Sequence, residues 1–204
     1  MTHDPNIDAD PLPHQPGEDT PPPPDLRTLG PRSNDLVTLR PWLPSDLPVI
    51  AEASRDPYLP LITTIPSSYT TEEGHAWLRR QHDQAAEGRG RPMAITTTEN
   101  GDVVGMATIN GINWTHRRAA VGYWILHRHR GQGFAKAALA LLPDLARQLG
   151  LLRLEALVET DNHPSQAVCR ALGFTEEGTL RSYYRFGDEQ RDMIVFARLL
   201  PPTD

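Results

Sequence analysis

The stretch Val121-Gly122-Tyr123-Trp124-Ile125-Leu126, followed after three residues by Arg130-Gly131-Gln132-Gly133-Phe134-Ala135, decides the reading of this chain. The first six residues are strand-like. The alanines and leucines after Phe134 predict a helix. A strand, a glycine turn and a helix start make an anion cradle, because the first N–H groups of a helix lack internal partners and the helix dipole is positive there. Glycines let a phosphate approach the backbone closely.

Two phosphate motifs are excluded. A Walker loop needs GxxxxGK followed by Ser or Thr, and none occurs. A dinucleotide fingerprint needs GxGxxG, but Lys136 stands where the third glycine belongs. What remains is Arg-x-x-Gly-x-Ala. On these six residues alone, a turn that leads into a helix and binds nothing is an equal alternative.

The chain has 204 residues, enough for one domain with a core. Asp4, Asp8, Asp10, Glu18, Asp19 and Asp25 against Arg27 give residues 1–31 a balance of −5, which leaves −1 of the formal −6 for the rest. A nearly neutral body argues against nucleic-acid binding. The single cysteine, Cys169, excludes an internal disulfide framework and fits a reducing compartment. No apolar run of membrane-spanning length and no secretory signal is found, so a cytoplasmic location is expected.

Residues 1–32 are acidic and proline-rich, with Pro21 to Pro24 consecutive. Few large apolar residues are present to offset the entropy of folding, so a disordered tail is expected there and a folded domain over 33–204. Within the domain, structure is expected from Asp35. Leu36 to Arg40 reads as a strand, and Ser45 as the cap of a short helix. Residues 55–69, with three prolines, read as loop. Thr70-x-x-Glu73 predicts a capped helix to about Ala86. Pro92 to Thr98, Asn100-Gly101 and Val103 to Ile109 read as a hairpin, and Ala119 to Leu126 as a third meander strand. Pro143 predicts a kink or a break in the following helix. Leu151 to Glu159 is a strand, Pro164 suits a first helical turn, and Leu180 to Phe186 and Asp192 to Leu199 are strand candidates. The fold class is α/β, with a mixed, mostly antiparallel sheet flanked by helices.

The order resembles the GNAT acetyltransferase superfamily, whose pyrophosphate loop is Gln/Arg-x-x-Gly-x-Gly/Ala, and within it the RimJ/RimL-like branch. The resemblance is carried by Leu39-Arg40-Pro41-Trp42 with Asp46, Val104-Gly105, Val121 to Ile125, Arg130 to Ala135, Asn162-His163-Pro164-Ser165, Leu172-Gly173-Phe174 with Glu177-Gly178, and Asp192. It spans roughly residues 35–200.

That resemblance implies acetyl transfer from acetyl-CoA, as co-substrate, directly to an amine. It implies that backbone N–H groups of Arg130, Gly131, Gln132, Gly133, Phe134 and Ala135 hold the pyrophosphate, with the Arg130 side chain adding charge. It implies that the strand edge at Trp124, Ile125 and Leu126 pairs with the pantetheine amides where this strand splays from the next. Donors near the thioester carbonyl would form an oxyanion hole. Asn162 and Ser165, ordinary helix-cap residues by type, would lie beside the cofactor in this branch. Many relatives place a tyrosine acid four residues before the Gly-Phe glycine. Here that position is Cys169, so Ser165 becomes the candidate acid, with Tyr183 or Tyr184 in reserve. Relatives often carry a carboxylate just before the Gly-Tyr pair, and here Arg118-Ala119-Ala120-Val121 has none. Glu159, Asp161, Glu155 or a water are the candidate bases. The histidines, among them His116, His127, His129 and His163, complete no metal set.

The missing strand carboxylate bears on the acceptor. At pH 7 a lysine amine of pKa about 10.4 is about 0.04 % neutral, against roughly 14 % for an α-amine near 7.8. An α-amine needs less base, so a protein or peptide N-terminus is the expected acceptor. A small amine (antibiotic, polyamine or amino-acid derivative) and an acyl-CoA sensor or scaffold without turnover are the alternatives. The acceptor site is expected from about 55–75, 110–118 and the C-terminal hairpin. A homodimer is compatible with the sequence.

Overall fold

In the computed structural model, residues 22–201 are described. Chain order is β1 (Arg32–Ser33), β2 (Val37–Arg40), α1 (Leu47–Ala53), α2 (Leu59–Ile62), α3 (Thr71–Ala86), β3 (Gly90–Thr97), β4 (Val103–Asn113), β5 (Arg118–Ile125), α4 (Phe134–Ala140), α5 (Leu142–Gln148), β6 (Arg153–Glu159), α6 (His163–Ala171), β7 (Thr175–Phe186) and β8 (Glu189–Leu199). The strands form one sheet in the order β1-β2-β3-β4-β5-β6-β8-β7. All neighbours are antiparallel except β5 and β6. A parallel pair needs a long crossover, which α4 and α5 provide.

Local chemistry sets most boundaries. The Thr70 hydroxyl accepts from Glu73 N–H at 3.1 Å and starts α3. The Asn100-Gly101 turn closes the β3–β4 hairpin, with Thr97 N–H donating to Asp102 O at 2.9 Å. Of the kink or break expected at Pro143, the structure has the break: α4 is separate from α5, with Leu141 between them and the proline in the first turn of α5.

Two local expectations change. Ser45 caps no helix. Pro44–Asp46 form a 3₁₀ turn, in which the Asp46 carboxylate takes Leu43 N–H at 2.8 Å and pairs with Arg40. Inside the expected loop 55–69, Asp56 accepts from Tyr58 and Leu59 N–H and begins α2, which buries Leu59.

Helices cover both faces of the sheet. On the first face α4, α5 and α6 pack against Val121, Ile109, Leu154, Ala156, Val158, Ile194 and Phe196. On the second, α1, α2 and α3 pack with Trp42 against Ala94, Val103 and Trp124. The Trp42 ring stacks on Trp124 and meets Trp77 edge-on. No described helix is long and apolar enough to cross a membrane.

The expected tail over 1–32 needs correction at its end. Residues 1–21 lie outside the described residues. Beyond them, Leu26–Thr28 form a 3₁₀ turn, and Leu26 is only 1 % exposed. Arg91 of β3, itself buried, donates to the carbonyls of Leu26, Leu29 and Gly30. Burial pushes its guanidinium down to about 10, with Arg32 adding to the effect. The folded body therefore starts before residue 33, because a buried cation needs those carbonyls and one leucine anchors the turn.

Candidate active site

The sheet opens at its centre. β5 and β6 pair only at Arg118↔Arg153, Ala119↔Leu154 and Ala120↔Glu155. Beyond Ala120 the two strands part. On its other side β5 stays in register with β4 from Ile125 to Ala120, and Leu126 N–H donates to Val104 O at 2.9 Å. In an antiparallel ladder successive residues turn their backbone groups to opposite sides. Gly122, Trp124 and Leu126 therefore face β4, while Val121 and Tyr123 turn N–H and C=O to the gap and Ile125 turns its N–H there, its carbonyl accepting from Arg130. This corrects the expected edge: of Trp124, Ile125 and Leu126, only Ile125 turns its backbone to the gap. The Trp124 indole is buried against Trp42, and its N–H has no partner among the described residues.

The glycine loop leaves β5 beside this gap. His127–His129 form a 3₁₀ turn, in which Arg130 N–H donates to His127 O at 3.3 Å. Gly131 and Gly133 have φ of +77° and +84°, a region that glycine enters without the strain an L side chain carries. Space beside Gly131 is open. From Gly131 to Lys136 the N–H groups precede the first helical bond, Ala137 N–H to Gly133 O. That is a row of donors at a helix start, fit for a pyrophosphate. Arg130 has another occupation. Its backbone N–H is used in the turn, its Nε donates to Ile125 O at 3.0 Å, and its terminal nitrogen pairs with Asp56 at 2.9 Å. Arg128 pairs with Glu52. The two arginines tie the loop to α1 and to the start of α2. The Gln132 side chain donates to Arg128 O.

On the first face the Tyr123 and Ser165 hydroxyls meet at 2.8 Å, joining β5 to α6. Burial raises the Tyr123 pKa, partly offset by the bond to Ser165. Asn162 caps α6, accepting Ser165 N–H at 3.1 Å, so its side-chain oxygen is engaged. Cys169 is a buried core residue, and burial pushes its thiol up to about 11. Tyr183, the reserve acid, is half exposed on edge strand β7. The tyrosine that touches Ser165 is Tyr123, and the signal for it was positional. Odd residues of β5 share the face of α4 to α6.

On the second face lies Glu159, at the end of β6. Leu154, Ala156 and Val158 point to the first face, so Glu155, Leu157 and Glu159 point to the second. Glu159 is 7 % exposed. Burial raises its pKa, Asp161 raises it further, and Arg191 lowers it. Its carbonyl accepts from Gln166. Asp161 pairs with Arg191 at 3.3 Å. Glu155 is engaged by Arg118 and Arg153. The segment 110–118, expected near the acceptor, surrounds the β4–β5 turn at the Arg118 end. Its Arg118 end lies seven strand residues, about 23 Å, from Ile125, and its nearest member, Asn110, pairs with Ala120, five residues away. Among the described residues no group of three or more His, Cys, Asp or Glu could hold a metal ion.

Residues 37–175 match the family described as the acetyltransferase (GNAT) domain. The Bacillus licheniformis protein described as "Uncharacterized N-acetyltransferase p20" is 30% identical over 166 residues, covering 81% of this chain and 93% of that protein. The Escherichia coli (strain K12) ribosomal-protein-serine acetyltransferase is 29% identical over 113 residues, 55% of this chain and 63% of that protein. Mycobacterium smegmatis RimJ, solved in complex with CoA-disulfide, superposes with a TM-score of 0.72 at 29% identity, covering 80% of this chain and 81% of that chain. The chain belongs to the GNAT acetyltransferases. It is an N-acetyltransferase of the RimJ/RimL-like branch, as the resemblance implied.

Proposed function

We propose that this N-acetyltransferase moves acetyl from acetyl-CoA to the α-amine of a polypeptide N-terminus. The observation that carries the reading is the pairing of groups across the gap. The Tyr123–Ser165 hydroxyl pair stands on the first face, and the buried carboxylate of Glu159 on the second.

Acetyl-CoA fits the residues present. Gly131 to Lys136 supply N–H donors for the pyrophosphate, and Val121, Tyr123 and the N–H of Ile125 present backbone groups for the pantetheine amides. The thioester supplies the activated acetyl. The chain's residues then divide the proton work. Glu159, a stronger base than an ordinary carboxylate because burial raises its pKa, takes the proton from the attacking amine. Its affinity for protons lies nearer an α-amine than a lysine amine. Ser165, oriented by Tyr123, donates a hydrogen bond to the departing sulfur on the opposite face.

The test is thiol release with acetyl-CoA and a panel of short peptides, Nα-blocked lysine peptides and polyamines. Peptides with free N-termini should be acetylated at the α-amine. Turnover of polyamines or lysine side chains alone would replace this acceptor. Binding of acetyl-CoA without turnover of any amine would favour a sensor.

A further inference from the structure

The second face is covered unevenly. The helices α1 to α3 pack on β3, β4 and β5 and contribute to no cluster with β6, β8 or β7. Every residue of β7 is exposed or half-buried. Along this face exposure rises outward: Glu159 and Met193 are 7% and 4% exposed, Arg191 is half-buried, and β7 at the sheet edge is open.

Register places the residues on that face. Glu159 faces Met193, Met193 faces Leu180, and Arg191 faces Tyr184. Directly opposed residues share a face, so Glu159, Met193, Arg191, Tyr184 and Phe186 line one surface. β7 carries a register shift between Leu180 and Tyr184, with Ser182 at φ +51° and its N–H held by Asp192 at 2.7 Å. The shift brings Tyr183 edge-on to Tyr184 at 5.0 Å between ring centroids, and Phe186 stacks on Tyr184 at 5.9 Å. Tyr183 and Tyr184 are 50% and 43% exposed. The result is a solvent-facing aromatic shelf on the same surface as a buried carboxylate that forms no ion pair among the described residues.

We propose that this shelf reads the side chain of the third or fourth residue of a polypeptide acceptor and favours an aromatic or large aliphatic one there. The inference rests on the reading of Glu159 as the base for an N-terminal amine. Strand spacing of about 4.8 Å across two steps and two residues of about 3.3 Å along the strands put Tyr184 roughly 12 Å from Glu159. An extended chain covers that distance in three to four residues. Glu159 stands at the amine end, Arg191, paired with Asp161 and Glu189, lies between, and the aromatic rings lie where the chain leaves.

Steady-state kinetics with a dipeptide and with peptides of four to six residues test this, all sharing the first two residues and the longer ones carrying Phe, Leu, Gly or Asp at positions three and four. Phe or Leu should lower KM roughly three- to tenfold relative to Gly, with kcat little changed. Tyr184→Ala should erase that preference and leave the dipeptide unaffected, while Tyr184→Phe should keep it. Indifference to positions three and four would overturn the shelf and leave the N-terminal activity standing. An equal loss for dipeptide and hexapeptide in Tyr184→Ala would also overturn it. Failure to acetylate peptides of any length, with turnover of spermidine, would overturn the shelf and the acceptor reading together.

Discussion

The Tyr123 hydroxyl lies 2.8 Å from the Ser165 hydroxyl. The bond bridges β5 and α6 on one face of the sheet, beside the gap between β5 and β6. It gives Ser165 a fixed direction that the cap by Asn162, which holds only its backbone, does not.

Ser165→Ala should lower kcat roughly 10²-fold, the usual scale for losing a positioned proton donor. Tyr123→Phe should cost less, since the serine hydroxyl remains. Burial raises the Tyr123 pKa, so its hydroxyl stays protonated across the neutral and mildly alkaline range. The kcat profile should therefore show no alkaline fall from this tyrosine below pH about 10. A fall well below that pH, absent in Tyr123→Phe, would remove the assignment.

Glu159 should couple activity to stability in opposite senses. Its folded pKa is raised, chiefly by burial, so the native state holds this proton more tightly than the unfolded chain. Stability then decreases as pH rises through the window from the ordinary glutamate value up to the folded value, and the penalty is complete above it. Glu159→Gln removes that penalty. At neutral pH the variant should unfold at an equal or higher urea midpoint while losing roughly 10²- to 10⁴-fold in kcat/KM. The acid limb of the parent profile should lie above the ordinary carboxylate range and vanish in the variant. Full activity in Glu159→Gln would assign the base elsewhere.

The loop is best tested by charge at constant shape. Gly133 sits at φ +84°, so any side chain there carries strain, and a bulky acid would confuse strain with repulsion. Asn and Asp both tolerate this region and are nearly the same size. Calorimetric titration of acetyl-CoA should show Gly133→Asp binding at least tenfold more weakly than Gly133→Asn, with the difference shrinking as salt rises. Equal affinities would mean that the pyrophosphate lies elsewhere.

Leu26→Ala should destabilise the domain by about 2–5 kcal/mol, because the side chain is fully buried. Removing residues 1–31 should cost more, since Arg91 would lose its three carbonyl acceptors as well, and stranding a buried charge costs about 3–5 kcal/mol. Urea unfolding measures both. Unchanged midpoints would show the turn to be dispensable.

What could be read from the sequence was local. Thr70 with Glu73, Asn100-Gly101 and Pro143 carry their conformations in their own chemistry, and each marked an element boundary. The glycines of the loop could be read for the same reason. The Tyr123–Ser165 bond could not, because its partners are 42 residues apart and meet only when α6 folds back over β5. The orientation of Trp124 depends on the β4–β5 register, which no residue of β5 encodes alone. Leu26 was hidden by its surroundings. One leucine within an acidic, proline-rich stretch looks solvated until Arg91, 65 residues later, supplies the other half of the contact.

That contact also bears on how such a chain can change over generations. Arg91 and the turn at residues 26–30 are mutually dependent, so neither drifts freely. Losing the turn leaves a cation without acceptors, and losing the arginine leaves three carbonyls without a donor. The leader segment and β3 are expected to covary as one inherited unit. Exchange of N-terminal segments between related enzymes should succeed only where the junction falls upstream of Asp25.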